Sequence, residues 1–170
     1  HYGTVLFVSD KICIEFGPLR HLPEASTSQF IAQHTSIPVP KVYCAFTRKG
    51  WTYIVMEKIE GEMVGQEWLS RSADSKGRIR SQLKCMVDEM RSLSPSRGQG
   101  ISNADGGPLW DCRLPGISLR HGPFKSISDF HKYLRGGFDA HPDHFPEVSK
   151  LIALHDWPWP LPLFTHGDLS

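Results

Sequence analysis

The spacing of apolar side chains changes once along this chain, and that change constrains the fold more than any other feature. Before residue 57, one helical stretch apart, apolar positions recur every second residue, as in a pleated strand. Beyond residue 62 they recur every three to four, as on a helix. Thr4-Val5-Leu6-Phe7-Val8 and Ile12-Cys13-Ile14-Glu15-Phe16 are β-prone runs separated by Ser9-Asp10-Lys11, which predicts a hairpin ended by Gly17-Pro18. Pro23 suits a first helical turn, and Ala25, Phe30, Ile31 and His34 fall near one face before Ile37-Pro38-Val39-Pro40 forbids continuation, so a helix is expected over 23–34. A second hairpin follows, with Val42, Cys44 and Phe46 turning at Thr47-Arg48-Lys49-Gly50 into Trp51-Thr52-Tyr53-Ile54-Val55-Met56.

Two hairpins around one helix predict a small α+β lobe over 1–57, with the charged run Glu57-Lys58-Ile59-Glu60-Gly61-Glu62 as the connection to a second, helical lobe over 58–170. There Ile79, Leu83, Met86, Val87, Met90 and Leu93 make one helical stripe, stopped by Ser94-Pro95 and expected to be core. A Gly- and Pro-rich stretch over 98–123 reads as a long loop. Short helices are expected over 126–134 and 146–155, and Trp157-Pro158-Trp159-Pro160-Leu161-Pro162 must run extended.

With 170 residues and a net charge of +1, Lys and Arg scattered among acids give no concentrated basic patch for nucleic acid or for an acidic membrane surface. Cys13, Cys44, Cys85 and Cys112 form no Cys-x-x-Cys pair, which points to free thiols in a reducing compartment. No apolar stretch reaches the roughly 20 residues a bilayer requires, and the first residues lack signal-peptide regions, so a cytoplasmic protein is expected. His141-Pro142-Asp143-His144 has two imidazoles and a carboxylate, but a rigid metal site needs three or four fixed ligands, and a solvated loop is the simpler reading.

The apolar run Leu161-Pro162-Leu163-Phe164 leads into Thr165-His166-Gly167-Asp168-Leu169-Ser170, a turn that can hold one carboxylate rigidly. This segment resembles the catalytic loop of aminoglycoside phosphotransferase-like enzymes, the kinase-like group that phosphorylates small-molecule hydroxyls. Four further blocks occur in the order and approximate spacing of fungal members of that family: Glu24-Ala25, His34-Thr35-Ser36-Ile37-Pro38-Val39-Pro40-Lys41-Val42, Tyr53-Ile54-Val55-Met56-Glu57 and Asp105-Gly106-Gly107-Pro108. Together the blocks span nearly the whole chain.

The resemblance implies a two-lobed α+β kinase-like fold with an incomplete C-terminal lobe, ATP and Mg²⁺ as cofactors, and a small-molecule hydroxyl as acceptor. It implies that Asp168 takes the acceptor proton while His166 braces the loop. Glu24 stands where such enzymes keep an acid to pair with a strand Lys that grips nucleotide phosphates, and Met56 and Glu57 stand where backbone groups hold the adenine. Here the matching strand reads Cys13-Ile14-Glu15-Phe16-Gly17, so Glu15 occupies the place of that Lys. Lys11, four residues earlier on the same strand face and roughly 13 Å along it, is the alternative cation. The chain begins at His1 and stops inside the motif, which suggests a truncated product, inactive alone because metal ligands would lie beyond Ser170. Two rival readings follow: a non-catalytic, pseudokinase-like binding module, which Glu15 favours, and a hydrolase using His166 and Asp168 around a metal.

Overall fold

The computed structural model describes residues 4–18, 21–94, 100–111, 113–114, 116 and 118–166. They fall into two compact units, His1–Leu93 and Ser94–Ser170. The first contains β1 (Thr4–Phe7), β2 (Ile12–Gly17), α1 (Leu22–His34), β3 (Val42–Arg48), β4 (Trp51–Glu57) and α2 (Ala73–Ser92). Its strands form one antiparallel sheet in the order β1-β2-β4-β3. The expected hairpins are therefore present, and the mixed α+β class is established. This unit continues past Glu57, the expected lobe boundary, and includes α2.

Both hairpin turns follow from local chemistry. In the first, the Val8 and Ser9 N–H groups donate to the Ile12 carbonyl at 3.0 and 3.2 Å. In the second, Lys49 and Gly50 join the paired residues Arg48 and Trp51 with φ of 52° and 75°. Two successive positive φ values make the type I′ turn whose twist matches that of the flanking strands.

Alternation assigns the two faces of the sheet. Cys13, Thr52 and Ile54 are buried, Ile54 to 2 % exposure, and share one face. On the other face Phe16, Tyr53 and Phe46 stack across three strands with centroids 5.8 and 5.1 Å apart, and Trp51 lies 6.0 Å from Phe16. Helix α1 packs on β3 and β4 through buried Ala25 and Ile31, so it covers the Thr52–Ile54 face over that half of the sheet. Pro23 starts α1, and Thr35 ends it by donating both its N–H and its hydroxyl to the Ile31 carbonyl.

Helix α2 begins at the Ser72 cap, whose Oγ accepts from the Ser75 N–H. Its stripe departs from the core expected of it: Met90 is buried, but Leu83 remains 45 % exposed. Burial on α2 is concentrated in its last turns, where Met86, Val87 and Glu89 are half-buried and Met90 is buried. The tie there is Glu89, which accepts from the Ser36 N–H and hydroxyl.

The second unit corrects the long loop expected over 98–123. Asn103 organises its start, with Oδ1 accepting from the Asp105 and Gly107 N–H groups and Nδ2 donating to the Pro108 carbonyl. β5 (Leu109–Trp110) and β6 (Arg120–His121) then pair antiparallel, and Ile101 bridges Phe124. The Asn103 side chain satisfies backbone groups two to five positions away, a pattern that apolar periodicity does not register. α3 (Ile127–Leu134) starts at its Ser126 cap and α4 (Pro146–His155) at its Pro, both close to the expected bounds. α3 packs on α4, and Phe124 lies 5.2 Å from both Phe130 and Tyr133. Among the described residues no helix is long and apolar enough to cross a membrane.

Candidate functional site

The end of the sheet where β2 begins and β4 finishes gathers most of the candidate binding residues. The register sets Ile12 opposite Glu57 and Cys13 opposite Met56. Lys11 sits in the exposed turn just before β2, and its carbonyl accepts the Lys58 N–H at 3.0 Å. Lys11 and the Met56-Glu57-Lys58 connection are thus brought together. Met56 is half-buried and Glu57 exposed.

Glu57 is held on three sides. Its N–H donates to the Lys41 carbonyl at 2.9 Å, its carboxylate accepts the Lys41 N–H at 3.2 Å, and its carbonyl accepts the Cys13 thiol at 3.7 Å. The Glu57 and Lys58 amides are therefore committed to the sheet. In the β1–β2 turn the Val8 and Ser9 amides both turn back on Ile12, and the Lys11 N–H donates to Ser9 Oγ at 3.2 Å. These amides point inward, unlike the outward-facing backbone cradle of a phosphate nest. An anion here would meet lysine ammonium groups, those of Lys11 and of Lys58, the latter 5.4 Å over the Phe7 ring.

Glu15 is half-buried on the face of Cys13 and Ile54, paired with Ile54 on one side and Val5 on the other. That face continues onto β1 through Val5 and Phe7, which are 46 % and 64 % exposed because α1 covers only the β3–β4 half. The result is an apolar shelf with a carboxylate at its inner edge. Glu24 is exposed in the first turn of α1, where it complements the helix dipole.

His166 belongs to the second unit, exposed at the end of the extended stretch that follows α4. Asp168, with Gly167, Leu169 and Ser170, lies outside the described residues. In the His141–His144 loop, His141 Nδ1 accepts the Asp143 N–H at 3.2 Å, which occupies that lone pair. Among the described residues no group of three or more His, Cys, Asp or Glu is placed to hold a metal ion.

A polar cluster in the second unit escaped the sequence pattern. Arg113 grips Asp111 through two guanidinium bonds of 2.8 and 2.7 Å and a backbone N–H at 2.9 Å. The side-chain hydrogen bond from Arg113 holds the Asp111 carboxyl below its usual 3.8 against the opposing effect of burial. His121, 2 % exposed, has Nε2 3.2 Å from the Asp111 carbonyl and Nδ1 2.7 Å from the Tyr133 hydroxyl. A carbonyl only accepts, so Nε2 carries the proton and Tyr133 donates to Nδ1. Both nitrogens are spent, and the group braces the β5–β6 turn. The Asp-x-Arg spacing at 111–113 was the one available signal, and nothing in it pointed to His121 or Tyr133. No family model matches this chain, and no curated protein matches it.

Proposed function

We propose that the chain forms the nucleotide-side lobe and catalytic loop of an ATP-dependent phosphotransferase acting on the hydroxyl of a small molecule in the cytoplasm. The observation that supports this reading is the half-covered sheet. A strand bearing Glu15 lies beside β4, the next helix carries Glu24, and that helix leaves an apolar shelf of Val5 and Phe7 open beside Lys11 and the Glu57 connection. A shelf of this kind suits a flat aromatic base, with the ammonium groups of Lys11 and of Lys58, which lies 5.4 Å from the centre of the Phe7 ring, available to attached phosphates. Asp168 is the proton acceptor for the substrate hydroxyl in this reading, with His166 two residues before it in the sequence.

The described residues do not by themselves fit Mg²⁺, for which hard oxygen donors must converge. No step is therefore assigned to the metal. Glu15 favours a second reading, a binding module without catalysis, because a carboxylate repels the phosphates that a strand Lys would attract.

Calorimetric titration of the 170-residue protein with Mg-ATP separates the two. Lys11→Ala is expected to weaken binding, and Glu15→Lys to tighten it by replacing repulsion with attraction. A unit-charge contact at 4 Å is worth on the order of 4 kcal/mol at an effective dielectric of about 20, before desolvation is subtracted. If neither substitution alters nucleotide affinity, the phosphotransferase reading fails and the binding module takes its place.

A further inference from the structure

The contact between α3 and α4 contains two stacked imidazoles. His131 and His155 stack with ring centroids 4.7 Å apart, and His131 Nδ1 donates to the His155 carbonyl at 2.9 Å. His155 Nδ1 is buried and makes no hydrogen bond among the described residues. The edge of Trp159 meets His131 at 5.6 Å, and Trp159 Nε1 donates to the Leu154 carbonyl at 3.1 Å, so the stretch after α4 rests on this pair.

We infer that His131, His155 and Trp159 form an acid-labile clamp, which holds the segment from Trp157 to Thr165 on α3 and α4 at neutral pH and releases it as the solution is acidified. This inference concerns the second unit alone and does not depend on the activity proposed above.

The reason is the donor count of an imidazolium. A protonated His155 must donate from both nitrogens, and Nδ1 makes no hydrogen bond among the described residues. The charged groups around it add to that cost. From α3 and its C-cap come the His131 imidazole and the Arg135 guanidinium, whose side chain is 6 % exposed. Arg135 is itself fixed by Asp156 at 3.0 Å and by the Phe138 carbonyl at 2.7 Å, while Asp139 at 3.9 Å also pairs with Lys132. Burial first, then His131 and Arg135, pull His155 below its ordinary 6.5, and the His131 backbone and Asp156 oppose them without prevailing. As pH falls through 6.5 the opened state takes up the proton before the closed one does. The clamp is thus at full strength above that value and weakens below it.

Hydrogen–deuterium exchange on the whole chain at pH 7.5 and 5.5, corrected for intrinsic rates, tests this directly. Peptides covering α3, α4 and 157–165 should lose protection several-fold at the lower pH, while those of β2 and β4 should not. His155→Phe keeps a ring in the stack but cannot take a proton, and it should remove the pH effect. Equal protection at both pH values, or an unchanged pH effect in His155→Phe, would overturn the clamp. Should that variant fail to fold, the imidazole titration of His155 in the unaltered protein decides: a midpoint below 6.5 supports the clamp and one at or above 6.5 refutes it.

Discussion

Ser36 offers both its backbone N–H and its hydroxyl to Glu89, at 2.6 Å to Oε1 and 2.9 Å to Oε2, and so ties the segment after α1 to the last turns of α2. The two residues are 53 positions apart. A carboxylate with two donors makes stronger bonds than a neutral pair, although solvent at this exposed site reduces their worth. Glu89→Ala should destabilise the first unit by about 1 kcal/mol, read as a lower urea midpoint at unchanged slope. An unchanged midpoint would mean that the Ser36 bonds do not contribute to holding α2.

Lys49 pays a conformational cost in the β3–β4 turn. At φ 52° it occupies the left-handed region, disfavoured for a side chain with a Cβ, and nothing in the type I′ turn requires lysine. Asn tolerates that region and is the preferred partner of a following Gly. Lys49→Asn should therefore stabilise the hairpin by roughly 0.5 kcal/mol and raise the melting temperature. A lower melting temperature would show that the lysine makes a contact worth more than its strain.

What could be read from the sequence, and what could not, follows from the range of the forces involved. The hairpins, α1, α3 and α4 were legible because alternation, Pro at a first turn and Ser caps act within a few residues. The order of the strands rests on Ile14 and Glu15 pairing with Val55 and Ile54, some forty residues away, and no local pattern announces that. The stripe on α2 misleads because periodicity marks an apolar face without saying what covers it. Lys11 and Glu57 were both singled out, yet their meeting through Lys58 is a product of register. The 98–123 stretch was read as loop because the order of its described residues comes from Asn103, Asp111 and His121, polar side chains bonding to backbone two to ten positions away.

Asp111 gives that stretch a measurable signature. Because its folded carboxyl titrates below 3.8, the Arg113 pair contributes fully above 3.8 and is lost as pH falls through the lower folded value. Carboxyl NMR should find the Asp111 midpoint below 3.8, and Arg113→Ala should move it upward. A midpoint that ignores the substitution would show that Arg113 does not hold the carboxylate in solution.

The last prediction concerns Tyr133 and His121, since their hydrogen bond fixes which imidazole nitrogen carries the proton. Tyr133→Phe removes the donor and leaves Nδ1 of a buried ring unsatisfied, which costs about 1–3 kcal/mol. The loss should fall on the second unit. Gly116 provides an independent check, because a Cβ there would stand 2.8 Å from the Tyr133 hydroxyl at φ 135°, a backbone conformation unfavourable to side chains. Gly116→Ala should therefore disturb the same bond by displacing the hydroxyl. In ¹⁵N spectra of the imidazole, both variants should broaden or shift the His121 Nδ1 signal from the position of a nitrogen that accepts a strong hydrogen bond, while the β-sheet amides of the first unit stay in place. If Tyr133→Phe leaves both the His121 signal and the stability of the second unit unchanged, the β5–β6 turn is held by the Asp111 carbonyl and the surrounding aromatic rings without the tyrosine.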